Sequence, residues 1–249
     1  MSAAAFSYFS IVLERDIMES AARPLPIKEP TFLRENWKRV LAETHSDSYR
    51  YVRVLNNVAT VTNGEVLIRC PVGLGDGFYV LGPNSDLKSV ESLGLSPKKA
   101  YPDVESCRPN FERMTPSGKI PNQVVGQLIV WLEFVRAEQS NVVVTKNGFA
   151  MNLYASRVEY PLPGPNAPEY NHSQMAFDFR RVLGFEIPIF GEGAMFSPKN
   201  LKLAFTEMLR YDFCYLSRHE GELSSKGAPL VIGHDWGHCA LVAPIDSWR

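Results

Sequence analysis

The chain has 249 residues, 45% hydrophobic and 21% charged, enough for one large domain or two ordinary ones with a substantial core. Its 26 Lys+Arg against 27 Asp+Glu leave a formal charge of −1, which excludes bulk attraction to nucleic acid or to an anionic membrane, so any such role needs charges sorted onto one face. Cys70, Cys107, Cys214 and Cys239 form no CxxC pair, which argues against a zinc ribbon or disulfide scaffold and fits reduced thiols in a cytoplasmic protein.

The opening MSAAAFSYFSIVLERD is apolar but has no basic residue ahead of the apolar part and is too short to span a bilayer. It reads as a strand or arm, and AARPLPIKEP, with three prolines in ten residues, as a connector closing residues 1–30. No transmembrane segment is expected. From Thr31, FLRENWKRVLAET places Leu33, Trp37, Val40 and Leu41 on one side of a helix and Arg34, Lys38 and Ala42 on another.

After Tyr49 the period changes to alternation, and Asn63-Gly64 between VATVT and EVLIRCPV predicts a hairpin within at least three antiparallel strands. VGLGDGF carries a GxGxG run, but strand-like FYVL follows where a phosphate cradle needs a helix start, so it reads as a turn. NSDLKSVESL predicts a short helix. Prolines 97, 102, 109, 116 and 121 mark a boundary between two halves, 31–115 and 116–249.

The second half repeats the order of the first: an apolar helix at Gln123 to Glu138, then strands about Asn147-Gly148. PLPGPNAP (161–168) reads as a loop and His172 to Leu183 as another helix. A third helix of the kind that precedes antiparallel strands has Ser197 as cap and Pro198 at its first position, with Leu201, Ala204, Phe205, Met208 and Leu209 on an apolar face and Lys199, Lys202, Thr206 and Arg210 opposite. The strands FCYLS, APLVI and CALVAPI follow.

Two features compete for function. His234, Asp235 and His238, beside Cys239, supply imidazole and carboxylate ligands suited to zinc or iron. However, Gly233 and Gly237 argue for a hairpin turn there, and His45, His172 and His219 have no ligand-like spacing. No GxSxG elbow supports a serine nucleophile. The second feature is basic: Arg34, Lys38, Lys199, Lys202 and Arg210 each have a bland reading as a solvated face, but cations recur on helices that each precede strands, and such faces can merge into one surface.

The segment from Phe196 to Ile245 resembles the final module of bacterial beta-subunit DNA sliding clamps, with a capped helix, strands, a turn and a closing strand that ends near a proline. FLRENWKRVLAE with NNVATVTNGEVLIRCPV resembles a clamp's opening helix and strands, and AYPDVESCRP the element that closes a clamp domain. The resemblance implies an α+β fold of two similar domains, with antiparallel sheets outside and helices lining a central hole. It implies a non-enzymatic homo-oligomer, dimer or trimer, that needs no cofactor and binds double-stranded DNA without sequence specificity. By the same resemblance, Lys199, Lys202 and Arg210 face the hole, and Val242, Pro244 and Ile245 lie near a cleft for polymerase or clamp-loader peptides. A bacterial clamp subunit is longer, with three domains; 249 residues suit two, and the end APIDSWR departs from the pattern, which leaves ring closure open. The alternatives are a metal-dependent enzyme using His234, Asp235 and His238, and an adaptor with no nucleic-acid role.

Overall fold

Asn56 and Asn57 both take positive φ (53° and 60°), the conformation that a two-residue hairpin between β1 (Val52–Leu55) and β2 (Val58–Thr62) requires. The computed structural model describes residues 31–44, 47–95, 101, 103–109, 114–116, 119–145, 148–153, 156–161, 194–219 and 229–245. The next turn is the expected one at Asn63-Gly64: Asn63 Oδ1 accepts from the Glu65 and Val66 amides at 2.9 and 2.8 Å, and β3 (Val66–Pro71) returns along β2. The glycine-rich stretch after β3 leads into β4 (Gly77–Leu81), a strand and not a helix. The helix expected at Asn84–Leu93 does not form. Leu81 pairs with Leu87 of β5 (Leu87–Ser89) and closes a hairpin, leaving only a short 3-10 helix at Glu91–Leu93.

The remaining strands are β6 (Met114–Pro116), β7 (Ile120–Pro121), β8 (Val142–Thr145), β9 (Gly148–Leu153), β10 (Ser156–Pro161), β11 (Met195–Phe196), β12 (Phe213–His219), β13 (Leu230–Asp235) and β14 (His238–Val242). Every pairing among the described residues is antiparallel. One sheet runs β5-β4-β1-β2-β3-β14-β13-β12-β6, with β7 beside β12, and a second runs β10-β9-β8-β11. Thr145 lies opposite Gly148, so that glycine opens β9. The junction β3–β14 sets Val66 against Val242 and Arg69 against Cys239, so strands far apart in sequence share one sheet. The expected arm at 1–30 and helix at His172–Leu183 lie outside the described residues; of the loop expected at 161–168, Pro161 instead ends β10 opposite Gly148, and the rest lies outside them.

Among the described residues three α-helices, α1 (Thr31–Ala42), α2 (Asn122–Ala137) and α3 (Pro198–Met208), complete an α+β fold in which helices pack on antiparallel sheets. Strand alternation sorts the main sheet: Val66, Ile68, Ala240 and Val242 join the large core with the helices, while Leu67, Val231, Cys239 and Leu241 form a smaller cluster on the other face. The helix α3 sits at the centre, against α1, α2, β3 and β14. Ser197 caps it, accepting from the Asn200 amide, and Pro198 occupies its first turn as the sequence predicts. Its other end is tied to α2, where Asn122 Nδ2 donates to the carbonyls of Leu209 and Tyr211 at 2.9 and 3.1 Å.

Candidate nucleic-acid interface

Because α3 is packed on several sides, little of it reaches solvent. Between Pro198 and Met208 every residue is buried except Lys199, Lys202 and Thr206, spaced three and four apart along one line. That outward line therefore carries two lysines. Glu43, just past the end of α1, pairs with Lys199 at 2.9 Å, and Glu133 of α2 pairs with Lys202. Glu133 also takes Arg136 Nε at 3.2 Å. Burial, and then the neighbouring Arg39 guanidinium of α1, hold Lys202 below the ordinary lysine range. Three helices thus bring Arg39, Lys199, Lys202 and Arg136 near two carboxylates, Glu43 and Glu133.

The other cations named from the sequence go elsewhere. Arg34 Nη1 donates to the Ser85 carbonyl at 3.5 Å and Lys38 Nζ to the Pro83 carbonyl at 3.0 Å, so both brace the β4–β5 loop. Arg210 lies beyond the last turn of α3 with its side chain only 6% exposed, paired at 3.4 Å with the fully buried Glu207. Its guanidinium also lies over the Tyr211 ring. Sequence spacing groups Arg210 with Lys199 and Lys202, but a helix ending at Met208 leaves that residue off the shared line. Spacing in the sequence does not single out Arg39 or Arg136. The signal available for Arg39 was its position four residues before Glu43.

Val242 is completely buried in the large core and Pro244 is buried, whereas Ile245 is 38% exposed. Of the three residues assigned to a peptide cleft, only Ile245 is at the surface.

The GHDWGH stretch forms the turn joining β13 to β14. Gly233 has φ +142°, and a Cβ there would lie 2.2 Å from the His238 carbonyl oxygen, so only glycine fits. Asp235 Oδ1 accepts from the Gly237 and His238 amides at 2.7 and 3.0 Å, which occupies the proposed carboxylate ligand with turn formation. His234 packs between Tyr211 and Phe213, with ring centroids at 5.0 and 5.1 Å, and burial depresses its pKa. His238 stacks on Tyr211. Among the described residues no three His, Cys, Asp or Glu side chains gather as a metal site. Trp236 instead turns inward: its Nε1 donates to Glu105 Oε2 at 2.8 Å, and Arg69 Nη1 donates to Glu105 Oε1 at 2.9 Å with its guanidinium 4.2 Å from the indole centroid.

Among the described residues no helix is long and apolar enough to cross a membrane. No protein-family model and no curated sequence matches the chain. Solved structures that align with most of the chain include DNA polymerase III beta subunits. That of Thermotoga maritima aligns with 90% of this chain and 68% of its own, at 10% identity and TM-score 0.47. The Borrelia burgdorferi subunit, solved in complex with a natural product, aligns with 86% of this chain and 62% of its own, at 10% identity and TM-score 0.47. The Helicobacter pylori beta clamp, bound to a DNA ligase peptide, aligns with 89% and 67%, at 11% identity and TM-score 0.46. The chain thus spans roughly two thirds of the length of these subunits.

Proposed function

We propose that this chain is a non-catalytic, clamp-like DNA-binding protein that holds duplex DNA without sequence specificity against the face made by α1, α2 and α3. The observation that supports this reading is the convergence of Arg39 of α1 and Arg136 of α2 on Lys199 and Lys202, which lie on the outward line of the central helix. Long basic side chains on a rigid helical surface meet phosphates as point charges and carry no base information. In this reading the two halves, 31–115 and 116–249, are the two clamp-like domains, and copies of the chain assemble as a dimer or trimer around DNA. A polymerase or loader peptide would be met at the surface that begins with Ile245.

Equilibrium titration of labelled duplex DNA over a range of salt tests the interface. Reversing both lysines, Lys199→Glu with Lys202→Glu, removes two phosphate contacts and is expected to lower the slope of log K against log salt by about two. Unchanged affinity and slope would overturn the reading. Mass in solution tests the assembly, for which a strict monomer is the contrary result.

A further inference from the structure

The α3 lysines are already paired, although they are the residues with which DNA would compete. Lys199 and Glu43 have side chains 47% and 28% exposed, and Lys202 and Glu133 25% and 35%, so water reaches both pairs. Pairs so exposed are weak, and a better anion displaces the carboxylate. Glu133 is the stronger holder, because its two oxygens engage Lys202 and Arg136 separately. We propose that Glu43 and Glu133 are internal competitors of the DNA phosphates, holding the cations of this face when DNA is absent and yielding them when it arrives. The inference rests on the DNA-binding reading above. Each phosphate contact then replaces an existing ion pair, which lowers both affinity and salt slope relative to free cations. A protein built this way retains DNA loosely and exchanges contacts readily.

The test uses the full chain, labelled duplex DNA and a salt series, comparing wild type with Glu43→Gln, Glu133→Gln and, as a one-charge control at an exposed position outside α1, α2 and α3, Glu91→Gln. Both interface variants are expected to bind about two- to fivefold more tightly at low salt, Glu133→Gln more than Glu43→Gln, with steeper salt slopes. The gain from Glu133→Gln should shrink in a Lys202→Met background, which a general change of net charge does not predict. Thermal unfolding of each variant confirms an intact fold. If wild type binds but the interface variants gain no more than Glu91→Gln, the competitor role is overturned and the DNA interface stands. If neither wild type nor any variant binds in a salt-sensitive way, the DNA interface itself is overturned.

Discussion

The main sheet carries on its two faces the same three residue types in the same arrangement, with opposite electrostatic results. On the helical face, Glu207 is fully buried: Trp37 Nε1 donates to it at 3.0 Å and Arg210 Nη1 at 3.4 Å. On the other face, Glu105, with half its side chain exposed, receives Trp236 Nε1 and Arg69 Nη1. Burial raises the Glu207 pKa although Arg210 and Trp37 pull it down. The Trp236 indole first, joined by Arg69, lowers that of Glu105 and outweighs the opposing effect of burial. Identical partners stabilise a carboxylate where water assists and only partly offset its desolvation where water is excluded.

The largest expected effect is on the buried side. Glu207→Ala removes a fully buried carboxylate that accepts from Trp37 Nε1 and Arg210 Nη1 and is expected to cost about 3–5 kcal/mol, read as the free energy of unfolding in denaturant. Loss comparable to a surface substitution would break the contrast between the faces. Gly233→Ala comes next, since it forces a Cβ into the His238 carbonyl at positive φ; a loss of about 2–3 kcal/mol is expected. On the exposed side, Trp236→Phe removes one hydrogen bond to Glu105 and should cost about 1 kcal/mol at neutral pH. The sign in pH sharpens the comparison. With its folded pKa lowered, Glu105 stabilises the fold above the ordinary carboxylate value of 4.5 and loses that contribution as pH falls through its folded value, so the wild-type advantage over Trp236→Phe should narrow in acid. The smallest effect belongs to His234. Its folded pKa lies below 6.5, so the unfolded chain takes up the proton first; stability is retained above 6.5 and declines as pH falls below it, a dependence that His234→Phe should flatten. An unchanged pH profile would show that His234 is not held neutral by its aromatic neighbours.

Local chemistry was readable without the fold. Ser197 and Pro198 start α3, Asn63-Gly64 turns β2 into β3, and the apolar spacing of α1 buries Leu33, Trp37 and Val40. Each depends on neighbours a few residues away, so the sequence alone determines it. The same holds for GHDWGH as a turn, because its glycines and its Asp235 act within the hairpin itself. What the sequence could not decide is which cations share a surface. Helical periodicity places Arg34 and Lys38 together, but the β4–β5 loop claims both, while Arg39 and Arg136 join Lys199 and Lys202 only because α1 and α2 flank α3. It could not show that β14 would close against β3 and bury Val242, nor that Arg210 would turn beneath its helix to meet Glu207. Those outcomes depend on which segments pack together and on burial, which sets both exposure and charge and exists only once the helices and sheets have packed.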